Sequence, residues 1–358
     1  MNDTVVPLSK RTAFSARTIL YWHIIQALVW LIGAAILLSL FLLPKLGLLV
    51  FWNILIPVAP ALFVLAAGIW RNVCPLAITN LLPRHWGLSQ RKKLSAKQLG
   101  MLNLASVLLL FSIVPLRHAV FNNNGVASGL LIVSLACAGV VLGFFYEWKS
   151  AWCSGLCPVH PVEKLYGSNV AFSVPNAHCD KCMNCVVPCP DSTPNIHPTA
   201  SVKTLYHKLS GWLIVGGLPG FIWGWFHVPD NQYIAGINAF PGVYEMPLMG
   251  MLLTLSIYAI FVELIIPGHA RKLSGLFAAA GVSCYYWYRI PALLGMGSFA
   301  DDGLLIDLSA SVPFWVVRGI TVATTLFFFY WLVIRPSNKH SWAIRPPYAS
   351  RTLNRVLK

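Results

Sequence analysis

Charge is scarce in this chain. Only 10% of its 358 residues are Asp, Glu, Lys or Arg, while 57% are hydrophobic, a balance that excludes an ordinary water-soluble domain. Acidic residues are scarcest, with 11 Asp and Glu against 26 Lys and Arg. The resulting charge of +15 would suit nucleic acid if it formed one stripe. The basic residues instead fall between long apolar runs, the pattern of membrane topology, and nucleic acid is set aside as a partner. The chain also lacks a Gly-rich nucleotide fingerprint and a C-x-x-C-H element. Neither a built-in nicotinamide or flavin site nor a c-type haem is therefore supported.

The apolar runs predict an all-α membrane protein with about eight transmembrane helices, near residues 19–43, 48–69, 99–116, 126–146, 211–228, 246–266, 273–294 and 313–334. The first run is too long for a removable signal peptide and lacks its small-residue cleavage site, so it is expected to stay attached. Pro57 and Pro60 in the second imply a kink or packing against a neighbour. The loop from Arg71 to Lys97 is basic, and so is the tail with Arg335, Lys339, Arg345, Arg351, Arg355 and Lys358. The positive-inside rule then places both termini and the stretch 150–210 on the cytoplasmic side of a bacterial inner membrane. This divides the chain into a membrane bundle (1–149), a cytoplasmic segment (150–210) and a second bundle with a basic tail (211–358). The middle segment has few apolar runs with which to build its own core, so bound metal is expected to organise it.

Its chemistry is concentrated in Ala177–Pro190, A-H-C-D-K-C-M-N-C-V-V-P-C-P. Cys179, Cys182, Cys185 and Cys189 follow the C-x2-C-x2-C-x3-C-P spacing that holds a [4Fe–4S] cluster. Zinc would ask for two pairs of thiols a dozen or more residues apart. Disulfides would ask for an oxidising compartment. Upstream, Cys153-Ser154-Gly155-Leu156-Cys157-Pro158 repeats the last two positions of the motif. In two-cluster ferredoxins the proline-linked cysteine serves the other cluster, so Cys157 could complete the set of Cys179, Cys182 and Cys185, leaving Cys189 and Cys153 to begin a second. Cys74-Pro75, at another cytoplasmic membrane edge, would be a third ligand, with His160, His178 or Asp180 as candidate fourths. One cluster is expected, and a second is open.

Other residues read more plainly. Cys137 and Cys284 lie within spans and are expected to pack in the core. Spans two, three, four, six and eight have no interior histidine, which disfavours a bis-histidine haem; His118 and His227 are the only pair at similar depth. His23 and Glu263 sit at the depth of the cysteine loop, where a quinone or proton role competes with a satisfied internal hydrogen bond. Arg289, among Tyr285, Tyr286, Trp287 and Tyr288, and Arg318 read as residues that snorkel to headgroups inside an aromatic belt, or that line an outer anion site. Lys164, Lys181, Lys203 and Lys208 would suit an acidic ferredoxin or flavodoxin, or face anionic lipid.

From about Ile69 to Thr199 the chain resembles the membrane polyferredoxins that accompany periplasmic nitrate reductase and nitrous-oxide reductase, and the related iron–sulfur protein of cbb3 oxidase assembly. Trp70-Arg71-Asn72-Val73-Cys74-Pro75 looks like their first C-x3-C-P element with its leading cysteine replaced by Trp70, and only one full ferredoxin motif remains. The resemblance implies electron transfer between a quinone pool or cytosolic donor and a reductase partner, without chemistry on a substrate of its own. Reduction of copper or iron for cofactor assembly is one alternative. A redox-sensing transporter is another, although no inverted repeat or midplane charge is evident.

Overall fold

The computed structural model describes residues 15–147, 150–178, 198–199, 204–228, 240–265, 269–296, 303–336 and 342–344. It is helical almost throughout, as expected of an all-α membrane protein. The helices are α1 (Ala16–Leu42), α2 (Pro44–Leu48), α3 (Ile56–Val73), α4 (Pro75–Asn80), α5 (Leu82–His85), α6 (Ala96–Ile113), α7 (Gly125–Phe145), α8 (His160–Tyr166), α9 (Leu205–Trp212), α10 (Leu218–Trp225), α11 (Phe240–Ile260), α12 (Ala270–Leu293) and α13 (Phe314–Phe329). Wider π turns join α2 to α3 and α9 to α10, and extend α11 and α13.

Among the described residues six helical stretches, not eight, are long and apolar enough to cross a membrane: Ala16–Leu42, Pro44–Asn80, Ala96–Ile113, Gly125–Phe145, Pro241–Ile265 and Phe314–Ile334. The first, at 27 residues, is about 40 Å long, more than the roughly 30 Å of a bilayer's hydrocarbon. Beyond Arg17, His23 and Gln26 near its start it is apolar all round, and only Leu40 is buried, as for a helix whose outer surface meets lipid. The other two expected spans are present as helices of a different kind. The run α9–π turn–α10 is interrupted, and α12 carries Arg271, Lys272 and Arg289. Both are inner helices. Ile214, Val215, Leu218 and Phe221 from the first join Leu273, Ala278, Ala279 and Val282 from the second in the main core, together with Phe63, Val107 and Phe111.

Two local features set the shape of this core. At the expected kink, the Tyr286 hydroxyl is inserted into the helix ladder: it donates to Pro57 O (2.6 Å) and accepts from Ala61 N (3.0 Å). A side chain inserted between those backbone groups opens α3 at its prolines. Further on, Ala66 leaves helical geometry altogether (φ −153°, ψ 58°), and the carbonyl of Leu65 is taken by Ala171 N at 2.8 Å. Elsewhere α10 and α11 approach so closely that a Cβ on Gly220 would collide with the Gly250 carbonyl, and one on Gly250 with the Gly220 carbonyl. Without the hydrophobic effect to drive helices together in lipid, such backbone-to-backbone packing of small residues is the available attraction.

The segment after α7 does not build a separate core. Leu165 and Tyr166 of α8 belong to the main cluster. It is also tied to the far end of the chain: β1 (Val174–Pro175) pairs in parallel with β2 (Ala343–Ile344), with Val174 opposite Ala343. Trp342, 2% exposed, inserts beside Ala67 and Val170 and donates from Nε1 to Gly167 O at 2.7 Å.

Candidate functional site

Cys74 and Cys157 have nearly the same backbone, φ −56°, ψ 119° and φ −58°, ψ 119°. Each ends a helical turn immediately before a proline, and the proline ring excludes the α region for the residue preceding it. The repeated Cys-Pro pairs thus stop two chain segments in the same pose. Trp70 O accepts from Cys74 N, and Trp152 O from Cys157 N, both at 2.9 Å.

The two segments meet. Cys74, Cys153 and Cys157 line one cavity of about 330 Å³, open mouth included, with Trp70, Arg71, Trp152, His160 and Glu163. Cys153 is buried; Cys74 and Cys157 pack on the cluster it forms with Ala77 and Trp152. Among the described residues no three His, Cys, Asp or Glu side chains converge tightly enough for one metal ion. The three thiols are brought together as parts of one cavity wall.

The surroundings are polar where it matters. The backbone N–H groups of Val159 and His160 lie close enough to the Cys157 thiol to favour its charged form, and the His160 N–H donates to the Cys157 carbonyl at 3.0 Å. Burial nonetheless pushes that thiol up to about 12, helped by the negative charge of Cys74 and Glu163 nearby. Without metal Cys157 is therefore a protonated thiol, and bound cations are what would hold it as a thiolate. Arg71, 5% exposed, bonds Glu163 Oε2 (2.8 Å), Cys153 O (3.2 Å) and Ser154 Oγ (3.0 Å). His160 Nδ1 lies 3.4 Å from both Arg71 and Glu163, and burial lowers its pKa to about 4, so it is a neutral imidazole. The other Glu163 oxygen, Oε1, is buried and makes no hydrogen bond among the described residues. Three thiols and a buried carboxylate oxygen are donors of the kind an iron–sulfur group takes.

The ferredoxin motif itself, Cys179, Cys182, Cys185 and Cys189 with Asp180, lies outside the described residues, as do Lys181 and Lys203. What the structure does describe is the chain leading into it. Asn72 donates to Pro175 O (2.7 Å) and accepts from Ala177 N (3.2 Å), and His178 Nε2 meets Arg71 O at 3.3 Å. Cys179 therefore follows directly from a buried residue anchored one turn from Cys74.

Several expectations need correction. Cys137 is exposed on α7 rather than in the core; on a lipid-facing surface a small apolar thiol costs nothing. Arg289 does not snorkel. It is fully buried and donates to Trp52 O (3.0 Å) and Asn53 Oδ1 (2.9 Å), because these inner carbonyls replace the headgroup. Arg318 does lie over Trp287 and Phe314, as in an aromatic belt. Glu263 points outward to Lys208 at 3.6 Å, so neither offers an internal bond or an unengaged docking charge. Lys164 lines a cavity. His118 and His227 each bond a backbone carbonyl, of Trp225 and Trp223. Sequence reading missed Arg117, which is buried between the rings of Trp52 and Trp225. Only its place next to an apolar run hinted at this.

Comparison of the chain with known protein families, curated proteins and solved structures returns no match.

Proposed function

We propose that the protein is a membrane-bound iron–sulfur electron-transfer protein of polyferredoxin type. The observation that carries this is the meeting of Cys74, Cys153 and Cys157 around one cavity beside the chain that leads into the C-x2-C-x2-C-x3-C-P motif. Seven thiols supply one four-thiolate site, from Cys179, Cys182, Cys185 and Cys189, and one three-thiolate site from the cavity. When bound, the clusters supply one-electron transfer without proton or group transfer.

The chain's own residues do the rest. The thiolates hold the groups, and the Val159 and His160 amides near the Cys157 sulfur lower the cost of a reduced, more negative centre. Arg71 places a positive charge at the same wall and fixes the Cys153 carbonyl. Trp152 and Ala77 exclude water. In this reading α12 and the run α9–α10 also cross the bilayer, completing eight spans, with the cysteines on the cytoplasmic side of a bacterial inner membrane. Electrons then pass between a quinone pool, ferredoxin or flavodoxin and a reductase subunit.

Anaerobic purification with iron and sulfide quantification and EPR of the reduced protein tests this. Wild type is expected to contain more than one cluster's worth of iron. Cys182→Ser and Cys153→Ser should each remove a different EPR signal. Zinc in place of iron, or one signal lost identically in both variants, would sink the assignment.

A further inference from the structure

Residues 82–97, running from α5 into the first turn of α6, form a basic loop at the end of an apolar helix. No acidic residue stands between Asp3 and Glu147 in the sequence. The loop carries Arg91, Lys92, Lys93 and Lys97. The last carbonyls of a helix have no partner within it, and this loop takes those of α7. Ser89 Oγ donates to Gly143 O (2.8 Å), Gln90 N to Phe144 O (2.7 Å) and Lys92 N to Phe145 O (3.0 Å), while Lys92 O accepts from Glu147 N (3.0 Å). Arg91, between two of these bonds, has a φ of 53°, a left-handed backbone that residues other than glycine rarely adopt. Main-chain bonds and one serine thus fix the loop at the edge of the candidate span Gly125–Phe145. Its cationic side chains take no part in holding it there.

We propose that this loop binds the headgroups of acidic phospholipids. Arg91, Lys92, Lys93 and Lys97 are exposed, and none of them forms an ion pair among the described residues. The Lys92 ammonium lies over the Phe145 ring, 5.5 Å from its centroid, and Phe145 and Val141 are themselves exposed in the last turns of the apolar span. A cation there stands where hydrocarbon-facing side chains give way to the polar layer that holds lipid phosphates. Trp86 and Leu88 of the same loop are 68% and 57% exposed, and an indole beside cations is the composition of a membrane interface. An acidic soluble protein would match the charge but offer no apolar phase to that indole and leucine. Lys97 lies in the first turn of α6, which has no acidic residue and whose dipole favours an anion. Each such cation raises affinity for an acidic surface roughly fivefold. The proposal is independent of the iron–sulfur reading.

Localised photolabelling tests it. Full-length protein is placed in phosphatidylcholine nanodiscs carrying a small fraction of diazirine-labelled phosphatidylglycerol or diazirine-labelled phosphatidylcholine, irradiated, and read peptide by peptide by mass spectrometry. Residues 82–97 are expected to take about fivefold more of the acidic lipid than of the zwitterionic one at low salt, with the preference falling toward one in concentrated sodium chloride. The triple variant Arg91→Gln, Lys92→Gln, Lys93→Gln should lose the preference and keep the loop, because the bonds to α7 use the main chain and Ser89. Lys208→Gln, which removes an ammonium already facing Glu263 at 3.6 Å, should leave labelling of residues 82–97 as in wild type. Equal labelling by the two lipids, a preference unchanged by salt, or a preference kept in the triple variant would each overturn the proposal. So would binding of the loop to immobilised polyglutamate without any lipid preference, the result expected of an acidic protein partner.

Discussion

Replacing Trp342 with alanine should loosen the cysteine cavity from a distance. The indole is 2% exposed, bonds Gly167 O at 2.7 Å, and lies 5.2 Å from the Arg71 guanidinium. Arg71 in turn bonds Cys153 O. Truncating a buried Trp costs about 3–5 kcal/mol. The two-residue pairing of β1 with β2 offers little to replace it, so the loss should appear as local detachment of the 342–344 strap rather than global unfolding. At about 1.36 kcal/mol per decade, the detached population rises roughly 150- to 5,000-fold. The assay is maleimide labelling of chelator-treated protein, read peptide by peptide. Cys153 should react faster in Trp342→Ala by up to that factor, while exposed Cys137 reacts at its wild-type rate in every variant. Trp342→Phe keeps an aromatic ring but loses the hydrogen bond, worth about 1 kcal/mol, and part of the indole's packing, so it should accelerate Cys153 by a smaller factor than Trp342→Ala. If Cys153 reacts at the wild-type rate in Trp342→Ala, or if Cys137 accelerates equally, the strap does not hold the cavity and the reasoning fails.

Two further predictions concern stability. The folded-state pKa of Lys164 is depressed from 10.5 to about 8, so the folded state binds its proton less tightly than the unfolded one. The stability associated with Lys164 is full above about pH 10.5 and is lost as pH falls through about 8. At pH 7 its burial costs up to about 3 kcal/mol. Lys164→Met should therefore raise the Tm in detergent at pH 7, with the gain shrinking toward pH 10.5; a gain independent of pH would argue for better packing instead. Gly250→Ala should cost about 1–3 kcal/mol or more in reversible unfolding, since the new methyl meets the Gly220 backbone and cannot be accommodated by a rotamer change. Gly242→Ala, where nothing lies within 4 Å, is its neutral control.

The positions of the helices were legible because a lipid-crossing helix must be apolar over its whole length, and the stretches expected near 19–43, 99–116, 126–146 and 313–334 match α1, α6, α7 and α13 closely. Their burial was not. The α12 sequence reads as a less apolar helix with an arginine near its end. Whether that arginine snorkels or turns inward depends on Trp52 and Asn53, more than 200 residues away in the chain. The same limit applies to Glu263, to Lys164 and to Cys137, whose surroundings are supplied by other helices.

The cysteine site divides along the same line. Spacing alone marks Cys179, Cys182, Cys185 and Cys189 as candidate ligands, because a ligand motif held within one loop is written in local sequence. The Cys-Pro pairs at 74 and 157 likewise fix their own backbone pose, since the proline constraint is local. That these two pairs should share a cavity, with Arg71 and Glu163 as its wall and Trp342 behind it, was decided by tertiary packing. Contacts between residues about 80 to 270 positions apart carry no local periodicity. They exist only because the kinked α3, the short α8 and the returning C-terminal strap bury their surfaces against one another.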